Sequence, residues 1–438
     1  MTLRISVIGT SYLGSTLAAG MAEFGHQVIG VDIVPEVVKQ LNAGQPHIFE
    51  NGLEQLLEQH TATGRLRFTL DYDDIADWAD VHFLALGTPA RADGSADLSQ
   101  LHAAIGSLAP KLTRPTLIVG RSTVPVGTAI DLQQRIRALA PAGDAVELAW
   151  QPEFLRESMA VTDTLRPDRL VFGVQSDQAL RLLEQVYAIP LTEETPVITC
   201  DLATAELIKQ AANTFLATKI SFINAMAQLC QVAGGDVTVL ADALGLDKRI
   251  GREHLSPGLG FGGGCFPKDI RALAVRADEL GVDVLSDLIK SVEAINDTQR
   301  VELAELAIDQ VGGDATGKKV AVLGAAFKPG TDDTRNSPAL TVADHLHDRG
   351  AIVEVYDPQA HLAQRDGFTQ VGSVAEAVRN ADIVLHLTEW PEFRYLDPEQ
   401  LGTLVNNKII IDGRLKLHAP TWHEAGWKLV QIGRASTL

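Results

Sequence analysis

Residues 3–9, LRISVIG, form a short run of apolar positions, the pattern of a strand buried on both faces. The Ala-rich stretch TSYLGSTLAAGMAEFG that follows predicts a helix, and HQVIGVD predicts a second strand, so the chain opens on a βαβ unit. Further apolar runs, ADVHFLALGTP, TLIVGRSTVP (116–125) and AVELAWQPEF (145–154), read as strands that each end in a polar, proline-punctuated loop. From residue 201 the period changes. DLATAELIKQAANTFLATKISFINAMAQLCQVAG is one long helical pattern, and RALAVRADELGVDVLSDLIKSVEAINDTQRVELAELAIDQ is mostly another. After the break VGGDATGKK, the run KKVAVLGAAF starts a second strand–glycine pattern, TVADHLHDRGAIVEVYDP repeats the helix–strand–Asp order, and ADIVLHLTEWP (381–391) echoes the first half. The expected class is α/β, with two Rossmann-like doubly wound domains joined by a helical middle domain: residues 1–200, 201–312 and 313–438.

Composition changes little in this picture. A chain of 438 residues with 46% hydrophobic and 21% charged residues is ordinary for a globular protein of two or three domains. A net charge of −19 argues against a nucleic-acid partner, because no basic stripe offsets it. The opening MTLRISVIGT lacks the apolar run of a signal peptide, and no apolar stretch is long enough to span a bilayer. Three widely spaced cysteines form neither a disulfide framework nor a zinc pattern, so no metal is expected and the cytoplasm is the expected location.

Chemistry enters at the first turn. Gly9, Ser11 and Gly14 occupy the glycine positions of a dinucleotide fingerprint, and Asp32 ends the second strand where an acid would hold ribose hydroxyls and repel a 2′-phosphate. NAD is the expected cofactor. Ser11 stands where the second glycine normally lets the backbone approach the pyrophosphate. Elsewhere, GFGGGCFPKD (260–269) places Cys265 between glycines and Pro267, just ahead of a helix start, where the helix dipole favours a thiolate. Lys209 and Asn213 lie four residues apart, on one helix face, and form a pair of donors suited to an oxyanion. Cys265 with Asp269, and Glu153 with Glu157, share that spacing; for the glutamates, complementing a helix N-terminus is an equally good account.

Five motifs then occur in order: RSTVPVGT (121–128), QPEFLRES (151–158), AELIKQAANTFLATKISFINA (205–225), GGGCFPKD (262–269) and FKPGTDDTRNSP (327–338). With them the chain resembles the UDP-glucose/GDP-mannose dehydrogenase family over nearly its whole length. The resemblance implies a four-electron, NAD-dependent oxidation of a nucleotide sugar's primary alcohol to a carboxylate. UDP-glucose is the favoured substrate; GDP-mannose or UDP-N-acetylmannosamine is the alternative. A two-electron β-hydroxyacid dehydrogenase is a different class with a similar layout, which would not need the cysteine, and a nucleotide sensor would need none of the set.

The resemblance also implies roles. Cys265 would attack the C6 aldehyde and carry the thiohemiacetal and thioester, with Lys209 and Asn213 stabilising oxyanions at C6. Asp269 and Thr123 would place a water or accept the alcohol proton, and Glu153 would be an acid/base. Tyr12, Leu13, Thr88, Ser122, Thr123, Glu157, Lys268 and Arg335 fall at NAD-contacting positions. Glu153, Phe154, Leu155, Lys209, Asn213, Phe261, Gly262, Lys328 and Arg414 fall where the sugar nucleotide is held, which makes residues 313–438 the UDP-sugar-binding domain. Arg249 matches an arginine that reaches the neighbouring subunit's site, which implies a homodimer and makes 201–312 the dimerisation domain. Two positions depart from the usual pattern: Gln151 replaces an Asn and Arg121 replaces a Lys. His254 and Ser256 lie in a loop that varies with the sugar.

Overall fold

The computed structural model describes residues 2–362 and 367–434. The chain divides into two compact units, Met1–Ala212 with Arg271–Leu280, and Asn213–Ile270 with Gly281–Leu438.

The first unit is built on an eight-stranded sheet. Its strands are β1 (Arg4–Ile8), β2 (Gln27–Val31), β3 (Leu66–Thr69), β4 (Val81–Leu84), β5 (Thr116–Gly120), β6 (Val146–Trp150), β7 (Leu170–Gly173) and β8 (Val197–Cys200), in the order β3-β2-β1-β4-β5-β6-β7-β8. Pairing is parallel throughout except between β6 and β7. Successive residues of a strand point to opposite faces, and both faces here are covered. Ile5 and Val7 of β1 enter one apolar cluster with Leu17 and Met21 of the following helix, while Ile8 enters the cluster on the other face with Ile29 and Leu84. That two-sided burial explains why these strands read as continuous apolar runs.

The second unit holds a six-stranded, all-parallel sheet: β9 (Lys319–Leu323), β10 (Ile352–Tyr356), β11 (Phe368–Gln370), β12 (Ile383–His386), β13 (Ile409–Asp412) and β14 (Lys428–Gln431), in the order β11-β10-β9-β12-β13-β14. The strand order repeats that of β3-β2-β1-β4-β5-β6, the dinucleotide-fold order. The predicted helical region contains the 32-residue helix Leu202–Ala233 and the helices Phe266–Glu279 and Asp283–Gln310. The break between the last two falls at Gly281, whose φ of +73° suits glycine. The architecture is thus two Rossmann-like domains and a helical middle region.

Candidate active site

The carboxyl ends of the first unit's strands carry most of the residues singled out there. β1 runs into Gly9, whose φ is +85° and whose added Cβ would lie 2.8 Å from the Ala85 carbonyl oxygen. A Cβ at Gly14 would sit 1.7 Å from the Gly9 oxygen, so neither position admits a side chain and the turn stays tight. Ser11 is exposed and extended at φ −67°, with its hydroxyl making no cap hydrogen bond for the helix Tyr12–Glu23. The backbone there does not require glycine; only the space beside it is affected. Asp32, at the end of β2, accepts from Thr10 N (2.9 Å) and Thr10 Oγ1 (2.8 Å) through Oδ2, and from Val34 N (3.1 Å) through Oδ1. Leu13 is half-buried on the first turn of that helix. The tight turn, helix N-terminus and acid at the next strand end fit a dinucleotide with ribose hydroxyls.

Across the sheet, Ser122 donates to Leu86 O (2.6 Å) and Thr88 Oγ1 donates to Thr123 O (2.8 Å), which ties together the loops after β4 and β5. Glu153 follows β6. Its carboxylate meets Lys209 Nζ at 3.1 Å and accepts from Leu155 N at 2.5 Å. Burial works to raise the Glu153 pKa, but the Lys209 ammonium, the Leu155 N–H and the Arg121 guanidinium outweigh it and hold it below the usual carboxylate value. Phe154 lies under the Arg169 guanidinium, 3.8 Å from the ring centroid, with Lys209 Nζ at 5.6 Å. Leu155 and Glu157 are half-buried in the same loop.

Two buried glutamates that no motif reading singled out fix these loops. Glu50 accepts from Ala160 N (3.0 Å), Ser158 N (3.0 Å) and the Tyr12 hydroxyl in a short hydrogen bond, joining the dinucleotide turn to the loop of Glu153. Glu206 accepts from Gly127 N (2.8 Å) and Ala129 N (2.6 Å) at the start of the helix Thr128–Leu139, and burial pushes its pKa up to about 7. Both signals depend on contacts distant in sequence.

In the second unit, Cys265 is exposed immediately before the helix Phe266–Glu279, and its carbonyl accepts the Asp269 N–H (3.0 Å). The glycines before it have a packing reason. A Cβ at Gly262 would lie 2.3 Å from Asn336 O, at Gly263 2.9 Å from the Phe327 ring, and at Gly264 2.5 Å from the Arg335 guanidinium. Gly263 N also donates to Arg335 O (2.9 Å), so the cysteine motif and FKPGTDDTRNSP lie against each other. Asp269 is 2% exposed, accepting from Asn213 Nδ2 (2.7 Å) and pairing with Lys268 Nζ (2.6 Å). Asn213 and Lys209 are each 6% exposed and lie one turn apart on the helix Leu202–Ala233.

Phe261 is buried, and its backbone is clamped by Asn296 Oδ1 (2.7 Å to Phe261 N) and Arg300 Nη2 (2.6 Å to Phe261 O) on the helix Asp283–Gln310. Arg414 follows β13, donating to Leu387 O (2.7 Å) and pairing with Glu389 (3.2 Å). Lys328 Nζ lies 5.6 Å from the Phe327 ring centroid. Arg335 and Arg249 are exposed and fork onto Asp333 and Asp247. His254 is exposed at φ +60°, and Ser256 accepts from Arg252 (3.3 Å). Among the described residues the three cysteines form no disulfide, no cluster of His, Cys, Asp or Glu could hold a metal ion, and no helix is long and apolar enough to cross a membrane.

Three models of the UDP-glucose/GDP-mannose dehydrogenase family match the chain: the NAD binding domain over residues 3–190, the central domain over 203–298 and the UDP binding domain over 321–419. The chain is 40% identical to a UDP-glucose 6-dehydrogenase of Rhizobium meliloti, covering 99% of this chain and 100% of that one. It is similar to the structure of a UDP-glucose dehydrogenase from Pyrobaculum islandicum, with a TM-score of 0.91 at 36% identity over 99% of this chain and 98% of that one. The structure of UDP-D-ManNAc dehydrogenase from Pyrococcus horikoshii gives a TM-score of 0.89 at 30% identity, over 99% and 100% of the two chains. With an NAD-type turn at its start, a second Rossmann-like domain at its end and all three domain models in register, the chain belongs to the UDP-glucose/GDP-mannose dehydrogenase family.

Proposed function

We propose that the chain oxidises the C6 alcohol of UDP-glucose to the carboxylate of UDP-glucuronate, through a covalent intermediate on Cys265. The observation that carries this reading is an exposed cysteine at a helix N-terminus, beside a buried Asp269–Asn213 hydrogen bond. NAD⁺, when bound, accepts one hydride in each of two oxidations; Gly9, Ser11, Tyr12, Gly14 and Asp32 would hold it.

The chain's residues handle protons and oxyanions. In the first oxidation the alcohol proton would pass to Asp269 or to a water that Asp269 and Thr123 position, and Lys209 and Asn213 would donate to the oxygen as charge develops on it. Cys265 Sγ then bonds to the aldehyde carbon. The carbonyl pair moves to oxygen, which takes up a proton and becomes the thiohemiacetal hydroxyl. This step is needed because an aldehyde carries no leaving group, whereas the tetrahedral adduct can lose hydride from carbon and a proton from its hydroxyl and become a thioester. Water attacks the thioester carbon, the C–S bond breaks, and Sγ leaves as thiolate. Glu153 is suited to take the proton of that water, because Lys209 and Arg121 keep it ionised.

Lys328 and Arg414, in the second unit, would supply cations for the diphosphate that an acidic protein must concentrate locally. The active form is a cytoplasmic homodimer in which Arg249 reaches the second copy's site. Phe215, Phe222 and Leu229 support this: spaced seven apart on the central helix and 64%, 48% and 54% exposed, they form a stripe a second copy would cover.

NADH formation measured against UDP-glucose, GDP-mannose and UDP-N-acetylmannosamine tests the substrate. UDP-glucose is expected to give the highest kcat/KM. A higher value with UDP-N-acetylmannosamine would overturn the sugar assignment and leave the reaction type standing.

A further inference from the structure

Two buried polar residues at neighbouring strand ends of the first unit, Arg121 and Gln151, touch each other. Arg121 follows β5 and Gln151 follows β6, neighbours whose pairing continues in the Gln151 N to Gly120 O hydrogen bond (2.8 Å). The Arg121 side chain is 4% exposed, Gln151 is 3% exposed and Tyr187 2%. Arg121 Nη1 donates to Gln151 Oε1 in a short hydrogen bond and to Tyr187 Oη at 2.7 Å, and Tyr187 Oη donates to Gln151 Oε1 at 2.8 Å. The three side chains close a ring of hydrogen bonds inside the first unit. Arg121 Nε is buried with no hydrogen-bond partner. Beside it lies a cavity of about 30 Å³, lined by Arg121, Gln151, Glu153, Phe154, Arg169 and Tyr187 among others, large enough for one water.

A guanidinium cannot lose its charge in a protein, and burying one among neutral partners is costly. Neither hydrogen-bonded partner of Arg121 is an anion. The anion in its field is Glu153, two residues beyond Gln151. Glu153 also faces Lys209, from the central helix, and the Leu155 N–H of its own loop. Lys209 therefore carries two demands. At rest it is the ion-pair partner of Glu153, and in the reaction it must turn its ammonium toward an oxyanion. A second, permanent positive charge behind the carboxylate removes that conflict.

We propose that Arg121, mounted on Gln151 and Tyr187, is a positioning residue for Glu153: it fixes the start of the loop that carries Glu153 and supplies the standing charge that releases Lys209 to the substrate oxygen. This rests on the role given to Glu153 above. Arginine suits the mount because its planar fork donates to two acceptors at once, which a lysine point charge does not reproduce at the same reach. Gln151 matches that longer fork, so the two residues depend on each other.

Four variants test this: Arg121→Lys, Gln151→Asn, the double variant, and Arg121→Met. Each is assayed for kcat, for both KM values and for the pH profile of kcat, with a thermal melt to confirm folding. Assays use the nucleotide sugar that the wild type oxidises best, so that a wrong substrate assignment shows in the wild type alone. Each single swap is expected to lower kcat roughly tenfold, with KM for NAD⁺ changed by no more than about twofold, and the double variant is expected to regain most of the loss. Arg121→Met should move the acid limb of the pH profile upward, because Glu153 loses a neighbouring cation, whereas Arg121→Lys should leave that limb in place. Additive losses in the double variant, or an acid limb unmoved in Arg121→Met, would overturn the proposal. If Arg121→Met does not fold, recovery or additivity in the double variant decides.

Discussion

Lys209 illustrates how one side chain acquires its chemistry from its surroundings. On an Ala-rich helix a lysine is ordinarily solvated, yet here it is 6% exposed and held 3.1 Å from Glu153. In the proposed reaction the Lys209 ammonium turns toward the reacting oxygen, where it would act mainly in the transition state. Lys209→Ala is therefore expected to lower kcat by ~10²–10³ while KM changes little. Steady-state kinetics on the purified variant checks this; a pure KM effect would reassign Lys209 to ground-state binding. The spacing of Lys209 and Asn213 on one face was legible in the sequence, because four residues make one helical turn. The hydrogen bond from Asn213 to Asp269 was not, since 56 residues separate them and only the fold brings them together. The run of glycines before Cys265 was legible as permissive backbone, but not that Phe327, Arg335 and Asn336 fill the space the missing side chains leave.

At the scale of elements, the two Rossmann-like domains use the same turn differently. Gly9 and Gly324 both have positive φ after their first strands, and an aspartate, Asp32 or Asp357, follows each second strand. Asp32 is half-buried, whereas Asp357 is 6% exposed and receives Ala325 N, Ala326 N and Trp390 Nε1 on one oxygen. The second aspartate is consumed in holding its own turn. The echo between the two halves of the sequence thus marked a shared scaffold, with different chemistry at the same point. Loops in the first unit are fastened by Glu50, which is 6% exposed and faces only donors. A glutamine there would turn an NH₂ toward at least one N–H, so Glu50→Gln is expected to cost about 2 kcal/mol of unfolding free energy. Urea titration measures it, and a change below about 0.5 kcal/mol would contradict the fastening role. The strands that sequence patterning missed include the edge strands β8, exposed at three of its four positions, and the three-residue β11, and also the short buried strands β7 and β13, whose four apolar-rich residues are too few to stand out as a pattern. Edge strands bury too little to leave an apolar signature.

At the scale of the whole molecule, the chain carries a net charge of −19 and still must receive a diphosphate and a dinucleotide. In the proposed function the local charge comes from Lys209 on the helix Leu202–Ala233 and Arg121 after β5 in one unit, and from Lys268, Lys328 and Arg414, which follow glycine turns or strand ends, in the other. The same arrangement explains why overall charge argued against a nucleic acid but said nothing of nucleotides. Fold class was readable because both sheets are buried on both faces and a long helical region separates their patterns. The chemistry is less evenly readable, because Cys265 and Asp269 share one motif while Asn213, which donates to Asp269, lies 56 residues away. In the proposed function a single protein carries a primary alcohol through to a carboxylate by way of a thioester. The end-point yield of NADH with UDP-glucose limiting and NAD⁺ in excess tests this most directly. Two NADH per UDP-glucose, with UDP-glucuronate as the product, is the predicted result; one NADH per sugar, with the aldehyde released, would contradict it.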